Sequence, residues 1–505
     1  MSFQVYGTSS NNFVAIFVLL CSALVFLQRS LSPRTAPKDT PPIVAIPLSE
    51  IMLNPKEAYG KALKKYGPVI GVYRRGRLEY ITDKQYVRKV LAQDDIFSFE
   101  GGAFELLNIN FISGSSLFRD TQRLVTEGLN PRLEEITPYI WSTITAHTQE
   151  YVQTICTADG RGIDQEFHEF CHSAISEVMS RLLFGKVADI ACVNAVRDVE
   201  MSLSELMGMF ENTSVLARAF PRLWKLWIYA TFTLFHFIPS IAFVLARKIW
   251  VLIDGVEAAD SASTLDTEIS LVVWLARQKM DPTTRRVSYS QRLWIITAIS
   301  GFTFASIHNV AAICVWLVYE LARRPDVLAQ LRSELLQVVD INDERGRYFS
   351  YNALQEARHL DSFIREILRW KGDTLSSFRR ATRDVRLDKY IIPKGSLITT
   401  LASAIHDDPV VYGESAQDMQ AFRWVDQATS ATSISSTFIP FGLGRHACPG
   451  RYFAAIGMKL VVLSLISRCT PSLQGGNYIV KDRLNTVGEP LEGTLILDRL
   501  EEPLV

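Results

Sequence analysis

Apolar and polar positions divide this chain into successive regions with different periods. Phe13 to Leu27 (FVAIFVLLCSALVFL) is an uninterrupted apolar run without a charge. It is short against the about 17 to 25 residues a bilayer core requires, so Asn11, Asn12 and Gln28 would have to reach the interface. Pro33, Pro37, Pro41, Pro42 and Pro47 follow. That density disfavours helix and central strand and predicts a stiff spacer. Pro68 to Asp83 (PVIGVYRRGRLEYITD) predicts two short strands about an Arg-Gly turn. From Asp83 to about Leu368, apolar residues recur at three- and four-residue spacing and predict one helix after another. Ala381 to Thr400 returns to strand pattern, turning at Pro393, Lys394 and Gly395. The segment RYFAAIGMKLVVLSLI after Gly450 carries a long apolar helical stripe. The order is that of a small sheet split by a long helical body, without an internal repeat.

Composition refines this picture. The 505 residues show no linker after the first fifty, which predicts one catalytic domain over 49–505, a leader over 1–29 holding the apolar span 13–27, and a linker over 30–48. Lys and Arg balance Asp and Glu at 53 each, so no global field steers nucleic acid. Seven dispersed cysteines argue for a reducing compartment and against a disulfide framework or zinc site. No Lys or Arg precedes the apolar run, whereas Arg29, Arg34 and Lys38 follow it. The positive-inside rule therefore leaves the main body in the cytosol, and a cleaved signal peptide would want a basic leader.

One cysteine stands apart. Cys448 lies in FGLGRHACPG, a glycine-bounded loop that opens into the last apolar helix. Backbone N–H groups and a helix N-terminus would lower a thiol's pKa there, and Pro449 suits a first helical position. Gly444 permits a tight turn, and Gly450 lets backbone approach a flat group. The alternative, a buried free cysteine, does not require this context. Phe441, Gly444, Cys448 and Gly450 have the identities and spacing of the haem-binding loop of cytochrome P-450 monooxygenases, which the segment resembles over roughly residues 50 to 500 of the chain.

That resemblance implies a mostly α fold with small β-sheets (α+β) and haem b held by the Cys448 thiolate. Glu366 and Arg369 of EILR resemble the family's Glu-x-x-Arg element, with Arg423 of AFRW as third member of a buried network, although AFRW departs from the usual Pro-Glu-Arg-Phe. Without the resemblance, Glu366 and Arg369 would read as an ordinary helical surface pair. In Ser300 to Pro325, Ala305 and Ser306 match a small pair of the oxygen-binding helix. His308 and Asn309 stand where the family carries an acid and a threonine for proton delivery. A histidine exchanges protons near neutrality, whereas Asn309 can only position water; a core His and a helix-notch Asn are the plain alternative. His446, Arg379 and Arg123 resemble contacts to the haem carboxylates, with Phe441 and Gly450 beside the ring. Arg119 replaces a tryptophan often found before Arg123.

A second apolar stretch, Leu226 to Leu245, is long enough to span a membrane, but His236 and Pro239 interrupt it. A second span would place the haem loop across the membrane from the preceding helices. A pair of membrane-dipping helices over the substrate entrance is the expectation. The segments Phe97 to Leu117, Leu206 to Phe220, Asp373 to Phe378 and Thr486 to Glu489 face the pocket in relatives. Phe99, Phe104, Leu106, Leu107, Ile109 and Phe111 make the first of them apolar, implying a bulky apolar substrate. The chain carries no flavin or nicotinamide fingerprint, so NADPH would act through a separate flavoprotein reductase. The implied protein is a single-pass endoplasmic reticulum enzyme of the fungal microsomal type, facing the cytosol and in contact with lipid. It would oxidise a terpenoid or polyketide-like intermediate of specialised metabolism. Two alternatives are a haem-thiolate isomerase or dehydratase and a non-catalytic haem- or lipid-binding membrane protein.

Overall fold

The computed structural model describes residues 39–74, 77–106, 116–157, 159–206, 214–258, 269–342, 346–488 and 491–505. The apolar run 13–27 and residues 28–38 of the leader and linker lie outside them. In chain order the elements that frame the site are β1 (Val69–Arg74), β2 (Arg77–Thr82), α1 (Val87–Ala92), β3 (Phe97–Ser98), α2 (Leu133–Ile155) and β4 (Arg161–Asp164). There follow α3 (Phe167–Phe184), α4 (Ile190–Leu206), α5 (Leu223–Ala258), α6 (Tyr289–Ala322) and α7 (Arg358–Trp370). The chain closes with β5 (Arg379–Ala381), β6 (Leu397–Thr400), α8 (Arg451–Ile466), β7 (Cys469–Leu473) and β8 (Leu495–Arg499).

The fold is α+β, mostly helical with small sheets. β1 and β2 pair as the expected hairpin, from Val69 opposite Thr82 to Arg74 opposite Arg77. They join β6, β5 and β3 in the order β1-β2-β6-β5-β3, with β6 parallel to β2, so the first and late strand regions share one sheet. The end of the proline-rich stretch is stitched to this sheet: the Val44 amide donates to Gly71 and the Gly71 amide to Pro42. The predicted turn at 393–395 closes with the Ser396 amide on the Pro393 carbonyl, Gly395 taking φ of 82°. A second sheet, β7-β8-β4, ties the C-terminal strands to the middle of the chain.

α6 is the axis of the core. Its start is fixed by a capping box, Ser288 accepting from the Gln291 amide and Gln291 from the Ser288 amide. It is apolar enough to cross a bilayer, yet 67% of its apolar window is inside the protein, packed on α3, α4 and α8.

α5 corrects the expectation for Leu226 to Leu245. Leu223–Ala258 is one helical run of 36 residues, neither split into a pair nor broken at His236 or Pro239. Between Phe232 and Leu245 it winds as a π-helix. Pro239 removes one donor and crowds the preceding turn, and the wider π ladder absorbs that lesion without stopping the helix. His236 does not interrupt it either, because its Nδ1 is 2.8 Å from Asp198 of α4, which also accepts from Ser240. Ile241 and Leu245 face the core, while Trp227, Phe235 and Phe243 are more than 60% exposed on the other side.

Candidate active site

The Cys448 loop is built by two left-handed glycines and held from three sides. Gly442 and Gly444 have φ of 75° and 73°, which side chains strongly disfavour, and a Cβ on Gly444 would come within 3.0 Å of Ala92 on α1. The Cys448 amide donates to the Phe441 carbonyl at 2.7 Å. Asn130 donates to Pro449 at 3.1 Å, and Arg451 reaches back to the Thr432 and Cys448 carbonyls. Pro449 does not start the helix as expected: α8 begins at Arg451, because Pro449 and Gly450 form the turn that brings Cys448 under its first amides.

The amides of Gly450 and Arg451 and the Arg451 charge pull the Cys448 thiol's pKa down, but burial outweighs them and holds it above its ordinary range. The two amides thus act in the direction the sequence implies, and burial opposes them. A cation against the sulfur would complete the ionisation. Cys448 is nevertheless half-buried rather than sealed, whereas Cys171, Cys192, Cys314 and Cys469 are fully buried. A Cβ on Gly450 would stand 4.0 Å from the sulfur, so the glycine keeps the space before it clear.

Behind the loop, Glu366 and Arg369 on α7 are both 0% exposed and meet through two contacts of 2.6 and 2.9 Å. Their i, i+3 spacing puts them on one face of a strongly amphipathic helix. The structure brings Arg423 to the same carboxylate at 3.1 Å, and the Gln420 amide and Trp424 indole complete its acceptor shell. Arg369 also donates to the His406, Ala416 and Asp418 carbonyls. His406 in turn accepts from the Ile439 amide, two residues before Phe441. Burial lowers the His406 pKa to about 3 and keeps that acceptor neutral. A fully partnered charge cluster thus fixes the root of the cysteine loop.

A second polar group flanks the loop. Arg379 is 1% exposed and stacks on Phe99 at 4.8 Å, while His446 stacks on Phe99 at 5.0 Å and lies 3.0 Å from Asp94. Among the described residues Arg379 meets carbonyls and the Ser377 hydroxyl but no carboxylate, and its Nε has no partner. Burial pushes its pKa down to about 10. A buried guanidinium in this state calls for an anion. Arg123 is not brought into this group. Its guanidinium is bidentate on Glu127, one turn along an exposed surface, because the chain continues helically after Arg123 and the i, i+4 carboxylate lies within reach.

On α6, Ala305 and Asn309 are exposed while Ile307, His308 and Val310 are buried, so one stripe of this core helix opens on a space. His308 faces elsewhere. Its Nδ1 is 2.8 Å from Glu200 of α4 and its Nε2 is 2.8 Å from the Val487 carbonyl. The structure therefore separates a pair that sequence reading joined, since adjacent helical residues point about 100° apart.

The family model described as cytochrome P-450 matches residues 37–490. The chain belongs to the cytochrome P-450 family. A cytochrome P-450 monooxygenase of Ganoderma lucidum (CYP512U6) is 36% identical over 205 residues, 38% of this chain and 39% of that protein. Monooxygenase 103 of Postia placenta is 31% identical over 182 residues, 34% and 35% of the two chains. The beta-amyrin 11-oxidase of Glycyrrhiza uralensis is 29% identical over 160 residues, 32% and 31%. The matched stretches thus span about two-fifths or less of each relative. Cytochromes P-450 carry haem b on a cysteine thiolate and draw electrons from a redox partner. The residues of this P-450 fit that group: a half-buried cysteine for the iron, and the orphaned Arg379 Nε for a ring carboxylate.

Sequence reading missed Asp94, Glu200 and His172. Nothing local marks them: His172 and Glu200 are 28 residues apart, and Glu200 is 108 residues from His308. Of the apolar loop, Phe99 and Phe104 both pack edge-on to Phe118, whereas Leu107, Ile109 and Phe111 lie outside the described residues, as does Glu489.

Proposed function

We propose that this P-450 is a membrane-bound haem-thiolate monooxygenase in which Cys448 would hold the haem iron. One atom of dioxygen enters an unactivated C–H bond of a bulky apolar molecule, and the other leaves as water. The observation that carries this reading is the half-buried Cys448 under the Gly450 and Arg451 amides, in the glycine-built loop before α8. Haem b held there by the Cys448 thiolate would supply the oxygen chemistry. The two amides steady the sulfur's charge, and Arg379 and His446 receive the ring carboxylates. Phe441 and Gly450 border the ring, while Glu366, Arg369 and Arg423 hold the loop's root. Ala305 leaves room above the centre, and Asn309 holds a water that can hand on a proton. Phe99, Phe104 and Leu106 exclude bulk water.

Electrons come from NADPH through a separate flavoprotein reductase. The apolar run 13–27 anchors the chain once in the endoplasmic reticulum membrane, residues 30–48 connect it, and the domain over 49–505 sits on the cytosolic side. The exposed apolar face of α5 supports contact with lipid. A terpenoid substrate is favoured by relatives named for oxidising beta-amyrin and 25-hydroxycholesterol, and a place in fungal specialised metabolism by the relatives from Ganoderma lucidum and Postia placenta. The test is to supply a host that makes the chain and a reductase with heavy-isotope dioxygen. The reading expects new metabolites bearing one heavy oxygen. New metabolites formed without NADPH or dioxygen would favour an isomerase or dehydratase, and an unchanged metabolite set would favour a non-catalytic haem protein.

A further inference from the structure

Arg451 breaks a local rule beside the Cys448 loop. It is the first residue of α8, where the helix dipole favours an acid, and the first turn of α8 contains none. A cation in that position calls for a separate reason. Its guanidinium turns back along the chain: Nη1 donates to the Cys448 carbonyl at 2.9 Å, Nε to the Thr432 carbonyl at 3.1 Å, and Nη2 to the Tyr452 hydroxyl at 2.7 Å. The same group lies over the Tyr452 ring, 4.3 Å from its centroid. Among the described residues Arg451 meets carbonyls and a hydroxyl but no carboxylate, so no paired acid cancels its charge.

The turn that Arg451 grips is itself fixed by α7. Arg365, 3% exposed, donates through one nitrogen to the Ser430 and Ser433 carbonyls at 2.7 and 2.8 Å, on either side of Thr432. Its guanidinium stacks on Phe438 at 3.6 Å and Trp424 at 4.5 Å. One turn earlier on α7, Asp361 accepts from the Ala431 amide at 2.6 Å and pairs with Lys459 of α8 at 2.7 Å. The contacts therefore run from α7 to the turn 430–433, from the turn to Arg451, and from Arg451 to the backbone of Cys448. A guanidinium whose fork is engaged in three directions has one place to sit, where a free surface arginine would sample many. A charge fixed beside a metal ligand acts on the metal. One added electron makes an iron centre more negative, and a nearby cation favours that state, the more so at a half-buried position where water screens it incompletely.

We propose that Arg451 is a positioning residue that raises the electron affinity of haem bound at Cys448, its charge held beside that residue by the carbonyls of the 430–433 turn. The inference rests on the P-450 reading. Potentiometric titration of the haem-loaded full chain tests it, with the reduced carbon monoxide spectrum recorded alongside. Arg451→Gln keeps an amide donor for the Cys448 carbonyl and loses the charge. Its one-electron reduction should be about tenfold less favourable than that of wild type, a potential lower by about 59 mV, with the thiolate band unchanged. Arg451→Lys restores the charge without the fork and should recover most of that shift. Tyr452→Phe removes a contact but no charge and should stay at the wild-type potential. A wild-type potential in Arg451→Gln would overturn the proposal, as would an Arg451→Lys potential no different from that of Arg451→Gln. Loss of haem or of the thiolate band in Arg451→Gln would make the side chain a mechanical strut and overturn its electrostatic role. Failure of the P-450 reading would differ: wild type itself would give no thiolate band when reduced under carbon monoxide.

Discussion

Single residues here are governed by burial more than by the charges beside them. Cys448 shows it in one direction, its thiol held up despite two amides and Arg451. Lys371 shows it in the other: burial lowers its pKa to about 8, only partly opposed by Asp373. The unfolded chain therefore binds a proton between about pH 8 and 10.5 that the folded one has released, so Lys371 adds stability as pH rises through that window and costs stability below it. Lys371→Met should raise the melting temperature at pH 7, and the gap to wild type should narrow toward pH 10.5. A constant gap across the window would remove Lys371 from that role. Asn309 is an exposed residue of α6. Asn309→Ala should leave haem loading intact and raise the peroxide released per NADPH consumed, because the water that Asn309 would hold could no longer hand on a proton. Unchanged coupling would return Asn309 to ordinary packing. Residues such as these were partly legible in sequence: the position of His308 was visible, but its partners were not, since tertiary packing alone brings Glu200 and Val487 to it.

Among elements, α7 is the clearest case of local spacing carrying structure. Glu366 and Arg369 share a face by helical period alone, which is why the pair can be read from four letters, and the shell of carbonyls that completes it comes from the loop 406–424. Removing one partner strands a buried charge at a cost of about 3 to 5 kcal/mol. Glu366→Ala or Arg369→Ala should therefore purify with little or no haem and a lowered melting temperature. A haem-loaded variant of ordinary stability would refute the scaffold. α5 shows the reverse. Its composition was legible and its continuity was not, because Pro239 ordinarily breaks an α-helix and nothing in sequence announces a π ladder that tolerates it. Arg123 pairs with Glu127 one turn away, a local partner at i, i+4 that its spacing makes legible.

At the scale of the molecule, the order of strand pair, helical body, late strands and last apolar helix was readable from periodicity, and it builds the α+β fold with α6 at its centre. Which strands share a sheet was not readable, since β2 and β6 are more than 300 residues apart. Deleting residues 1–29 should shift much of the protein out of the membrane fraction while keeping carbon monoxide binding, with residual attachment through the exposed face of α5. Complete solubility would take that face out of the account. The central claim is the Cys448 thiolate, and one spectrum tests it most directly. Chemically reduced wild-type protein exposed to carbon monoxide should give the strongly red-shifted Soret band of thiolate-ligated haem, and Cys448→Ala should lose it. Retention of that band by Cys448→Ala, or its absence from haem-loaded wild type, would contradict the assignment.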